Sequence, residues 1–133
     1  MRQISRWAVP ILGLALLAGA LASAAPAARG TNRFVLFLYE GPGFESGGGH
    51  ASEYAAWAKK LCEAGVEVSG EELSGDARAV LDARGTRRGR ETGERLAGYF
   101  VVAARDLDAA AAIARDCPHL RHRGRIVVRA LAS

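Results

Sequence analysis

Phe34-Val35-Leu36-Phe37-Leu38-Tyr39 is an unbroken run of six apolar and aromatic residues, closed by Gly41-Pro42-Gly43. A run of that length and composition reads as a strand covered on both faces, hence central in its sheet. A helical stretch from His50 to Ala64 follows, then a strand from Val66 to Leu73. The same order recurs downstream. Tyr99-Phe100-Val101-Val102 reads as a strand, Asp106 to Cys117 as a helix, and Arg125 to Leu131 as a closing strand. One such unit cannot bury both its helix and its sheet face, whereas two close over a shared core. The expected fold class is α+β, in βαββαβ order.

Between the two units, Asp76 to Arg84 reads as a short strand, and Gly85 to Arg95 as a polar stretch. The first helix carries Ala51, Tyr54, Ala55, Ala58, Leu61 and Cys62 at three- and four-residue steps. His50, Tyr54, Trp57 and Leu61 share a neighbouring line, which places His50 at the end of the buried face. Gly65 stops this helix. The second helix opens on Asp106 as N-cap, with Asp108 in the first turn. Leu107, Ala110, Ala111, Ala114 and Cys117 form its apolar stripe, and Pro118 is read as its end.

The N-terminus supplies an address. Arg2 and Arg6 precede an uncharged stretch from Trp7 to Leu21, and Ala22-Ser23-Ala24 follows with small side chains. A basic head, a short apolar middle and an A-x-A ending are the parts of a secretory signal peptide. About fifteen apolar residues fall short of the roughly 20 that span a bilayer. The expected organisation is a signal peptide at 1–24, a flexible lead-in at 25–32 and one domain at 33–133. Export to the periplasm or the medium follows, with no stable membrane span after cleavage.

Charge and spacing exclude several chemistries. The chain carries 18 basic and 14 acidic residues. Neither basic cluster, Arg84 to Arg90 or Arg121 to Arg129, is interleaved with aromatics, so bases have no stacking platform and no nucleic-acid partner is expected. Ser46-Gly47-Gly48-Gly49 lacks the Lys-Ser/Thr ending of a phosphate loop and reads as a permissive turn into the first helix. Cys117, His119 and His122 fit no usual zinc spacing and read as a solvated polar loop, so neither metal nor cofactor is expected. No Gly-x-Ser-x-Gly elbow is present.

The chain resembles the YCII-related proteins, in particular the subgroup named for a DGPF motif. The likeness runs from Phe34 to Leu131. It rests on the Phe34–Tyr39 strand, His50 at the head of the first helix, Ala64-Gly65-Val66 and Gly70-Glu71-x-Leu73. Glu91-Thr92-Gly93-Glu94, Leu96-Ala97-Gly98-Tyr99, Asp106-Leu107-Asp108-x-Ala110, Cys117-Pro118 and Ile126-Val127-Val128-Arg129 complete it. The resemblance implies a ferredoxin-like fold, a dimeric α+β barrel closed through two sheets, and in some members a His–Asp acid/base pair. Here the four DGPF positions fall on Thr86-Arg87-Arg88-Gly89, so the acidic residue is missing. Asp76 or Asp82 is the expected steric substitute.

Two functions follow from these expectations. The favoured one is an exported homodimer that binds a small ligand or scaffolds a partner without catalysis, because His50 lacks its carboxylate. The alternative is an enzyme with His50 as acid/base, acting on a small organic substrate bound by Tyr39, Tyr54 and Trp57. Cys62 and Cys117 are read as two separate buried thiols. The alternative there is a disulfide, on the premise that the two helices lie side by side in the same sense.

Overall fold

A computed structural model of the chain describes residues 32–75, 77–90 and 93–132. The expected signal peptide and all of the lead-in but Asn32 lie outside the described residues. The elements in chain order are β1 (Arg33–Glu40), α1 (His50–Glu63), β2 (Val68–Glu72), β3 (Ala77–Asp82) and β4 (Gly85–Arg90). They continue with β5 (Arg95–Ala103), α2 (Leu107–Arg115), α3 (Pro118–Arg121) and β6 (Arg125–Ala130). Four strands form an antiparallel sheet in the order β2-β5-β1-β6, and β3 with β4 makes a separate hairpin. The class is α+β, compatible with a ferredoxin-like arrangement. Among the described residues no helix is long and apolar enough to cross a membrane.

The all-apolar run of β1 is central, between β5 and β6. Side chains alternate along it. Phe34, Leu36 and Leu38 face the helices, and the register sets Leu36 beside Phe100 and Val128. α1 packs Tyr54, Trp57 and Ala58 onto this face, with Leu61 at its margin. The buried face takes Trp57 from the His50–Leu61 line, Ala58 from the neighbouring stripe, and Tyr54 and Leu61, which both share. Ala55 and Cys62 of the stripe are exposed. α2 contributes Ala110 and Ala114, small enough to lie close to the sheet. Its N-cap is Asp106, whose carboxylate accepts the Ala109 N–H at 2.8 Å.

On the opposite face Val35 stands beside Val101, and Phe37 beside Tyr99 and Val127. No helix of the described chain covers this face.

Two expectations are corrected. β1 and β5 are antiparallel, so the helices that follow them run in opposite senses. α1 ends near the Arg33 end of β1, where Cys62 shares a cleft with Arg33. Cys117 lies at the other end, beyond α2. Both cysteines are free, Cys62 exposed and Cys117 buried, and the premise of a bridge fails. Burial pushes the Cys117 thiol up to about 12, which leaves it inert. The second correction concerns Gly85 to Arg90, which pairs with Ala77–Asp82 as a strand. The Asp82 carboxylate accepts the Arg84 N–H at 2.8 Å, and Gly85 takes φ 129 to complete the turn.

β2 approaches β5 through a glycine. A Cβ on Gly70 would lie 2.5 Å from the Tyr99 carbonyl oxygen and overlap the Phe100 ring. Gly70→Ala is therefore expected to lower the unfolding free energy by about 2 kcal/mol. Urea denaturation reads the change, and an unaltered midpoint would contradict the close approach.

Candidate functional site

The Glu40 end of β1, the loop to α1, the first turn of α1, and α3 converge on one polar cluster. α3 exists because Pro118 occupies the first helical turn, where its missing N–H costs nothing and its fixed φ favours helix. The turn carries His119 and His122 on one side, three residues apart. The loop 41–49 folds back so that Phe44 lies among the histidines. Its ring centroid is 5.2 Å from His119, 6.0 Å from His50 and 6.4 Å from His122. The Glu45 N–H donates to the His122 carbonyl at 3.0 Å and fixes loop to turn.

His119 is 1% exposed. Its Nε2 is 2.9 Å from the Tyr39 carbonyl and its Nδ1 is 2.8 Å from the Tyr54 hydroxyl. A carbonyl only accepts, so Nε2 carries the proton. Nδ1 of the neutral ring then accepts from the Tyr54 O–H. Burial holds His119 below its ordinary 6.5, against the opposing pull of the Tyr39 carbonyl and Glu40. Burial also raises the Tyr54 phenol, so it stays protonated. Gly124 closes the pocket, since a Cβ there would overlap the His119 ring.

His122 donates from Nε2 to the Glu53 carboxylate at 2.9 Å, and Arg121 reaches the same oxygen at 3.3 Å. The His122 hydrogen bond, more than Arg121, holds Glu53 below the usual carboxylate value. His50 stacks on His122 with centroids 3.6 Å apart and planes 20° from parallel. His50 lies one turn of α1 before Glu53 and makes no side-chain hydrogen bond within the described chain. Its Nε2 looks towards Gly47, at 3.6 Å from where a Cβ would be.

Beside His50 opens a cleft of about 240 Å³. It is lined by the glycine loop, Phe44, Tyr54, Glu72, and the Arg95–Glu40 ion pair, 2.6 Å long. Gly49, in the left-handed region at φ 107, turns the loop into α1 and leaves that wall without side chains.

The four residues expected to form the site separate. His50 and Tyr54 border the cleft. Trp57 does not, because it lies in the core edge-on to Phe100 at 5.0 Å. Tyr39 gives only its carbonyl. Its ring faces the other side of the sheet, beneath the Arg125 guanidinium at 4.5 Å. Asp82 sits in the hairpin turn, so it does not partner His50, and Asp76 lies outside the described residues. The loop read as solvated is α3, and it is packed into the core because both nitrogens of His119 are satisfied there. No group of three metal-ligating side chains forms among the described residues.

Glu53, Phe44 and the Glu40–Arg95 pair escaped the sequence reading, which put His119 and His122 in a solvated loop. The signal for the histidines was Cys-Pro-His, a proline opening a helical turn rather than ending one.

Residues 32–132 match the model of the YCII-related domain, and the chain belongs to that family. No curated protein matches it.

A buried neutral histidine makes stability depend on acid. Unfolded His119 takes up a proton below about pH 6.5, while the folded ring resists to lower pH. Stability is therefore complete above 6.5 and falls by about 1.4 kcal/mol per pH unit below it, until the folded value is reached. Glu53, Glu94 and Asp106, all lowered, act only in a more acidic window. Thermal denaturation between pH 7.5 and 5 is expected to show this slope, and His119→Gln to flatten it. Equal slopes in both proteins would contradict the assignment.

Proposed function

We propose that this domain admits a small polar organic molecule to the cleft beside His50 and exchanges a proton with it there. The observation that carries the reading is the His50 imidazole, without a hydrogen bond to any described residue and held against His122, which Glu53 in turn orients. Sequence alone favoured binding without catalysis because the expected carboxylate was missing. Glu53 answers that objection from within α1, acting through a second imidazole rather than by direct contact. His50 is the group that touches substrate, and His122 and Glu53 position it. Residues 86–89, where the resemblance would put the DGPF motif, lie on β4 outside this chemistry, and we propose that the chain is a divergent member of that subgroup.

The reading extends to the assembly and the address. Phe37, Tyr99, Val101 and Val127, all partly exposed, give the open sheet face an apolar surface. A second sheet packed on it would bury that surface and close the dimeric barrel. The basic head, apolar run and Ala22-Ser23-Ala24 support export.

Solvent-deuterium exchange into a panel of small enolisable carbonyl acids, followed by proton NMR, tests the chemistry. The chain is expected to accelerate exchange into at least one of them. His50→Ala should lower that rate by about 10²-fold or more. Glu53→Gln should lower it less and move its pH profile, as a positioning residue does. Exchange that survives His50→Ala, or no exchange in any member, would defeat the reading. Light scattering at micromolar concentration is expected to give a dimer, and Val101→Glu a monomer. A wild-type monomer would defeat that part alone.

A further inference from the structure

We propose that the β3–β4 hairpin is a docking arm for an anionic lipid surface. The hairpin stands apart from the four-stranded sheet, and its strands pair only with each other. Residues 77–90 hold five arginines against one aspartate, a net charge of +4 that equals the formal net charge of the entire chain. Over the rest of the chain acidic and basic residues sum to zero. The other arginine cluster, Arg121 to Arg129, differs in that Arg121, Arg123 and Arg125 pair with Glu53, Glu45 and Glu94.

Its tip is apolar. Leu81 is 72% exposed, more than any other large hydrophobic residue described, and Val80 beside it is 37% exposed. The register places Leu81 opposite Thr86 and Ala79 opposite Arg88, so Leu81, Ala79 and Arg88 share a face. Arg84 occupies the turn and is exposed. An exposed leucine flanked by the exposed Arg84 and Arg88 matches the boundary of a bilayer. Leucine enters the acyl margin while the guanidinium groups stay with the phosphates. Attraction to an anionic leaflet grows with each arginine close to it.

Other polyanions fit less well. The hairpin has no aromatic residue, so single-stranded nucleic acid finds nothing to stack on. An exposed leucine at the tip adds nothing to a phosphate backbone. The hairpin of a second copy would be repelled by its own charge.

Co-sedimentation of the full chain with phosphatidylcholine vesicles, with and without phosphatidylglycerol, provides the test. The basic head at Arg2 and Arg6 and the apolar run from Trp7 to Leu21 add a background that the arginine variant shares, so the difference between the two proteins reads the hairpin. Binding is expected to be stronger to the anionic vesicles and to weaken with salt. Arg84→Glu with Arg88→Glu should cut that excess by about tenfold or more. All these positions are exposed, and unchanged circular dichroism confirms the fold. Leu81→Trp should shift its indole emission to the blue with anionic vesicles only. Equal binding to both vesicle types, an excess indifferent to the arginine substitutions, an unshifted indole, or tighter binding to a single-stranded oligonucleotide would each overturn the proposal.

Discussion

The site end of the domain depends on one buried imidazole. His119 joins three segments that are far apart in sequence: Tyr39 at the end of β1, Tyr54 in α1, and the Pro118–Arg121 turn that carries the ring itself. Each nitrogen meets a partner of the right kind, so burial leaves neither unsatisfied. Removing the Tyr54 hydroxyl would strand Nδ1 in the core, which costs about 1–3 kcal/mol. Phe44 and Gly124 then fill the space around the ring. Because α3 is held this way, His122 is set beside Glu53 and beneath His50. The geometry of the cleft is thus inherited from a residue that does not line its open part.

This arrangement separates two jobs that one histidine would otherwise combine. His119 is buried, neutral and fixed in one tautomer, as a structural joint must be. His50 and His122 sit nearer to solvent, one beside the cleft and the other tied to a carboxylate. The Glu40–Arg95 pair forms part of the opposite wall and also ties the end of β1 to the start of β5. Glu40 and Arg95 thereby neutralise each other, and His50 makes no side-chain hydrogen bond within the described chain.

Much of the fold was legible because it rests on local pattern. The Phe34–Tyr39 run marked the central strand, the Tyr54–Leu61 line the buried helix face, and Asp106 a helix start. Three features were not legible, for identifiable reasons. Pro118 stops one helix and opens the next, and the residue alone does not say which. The strand nature of Gly85–Arg90 lies in backbone pairing with Ala77–Asp82, since its side chains are nearly all polar. The sense of the helices depends on whether the central strands are antiparallel, which a repeated βαβ pattern leaves open. The bridge between Cys62 and Cys117 failed with that premise. Half of the site was readable for a related reason: His50 and Tyr54 lie on one helix, whereas Glu53–His122 spans 69 residues.

Nitrogen-15 NMR of the histidine side chains tests the central claim most directly. The account requires His119 to be neutral, with the proton on Nε2 protected from exchange and Nδ1 accepting a hydrogen bond. It also requires that state to persist as pH is lowered past 6.5 while the protein stays folded. Cross-peaks of the Nε2–H tautomer that hold their shifts through this range are the expected result. A His119 that carries its proton on Nδ1, or that becomes imidazolium near 6.5 in the folded protein, would contradict it.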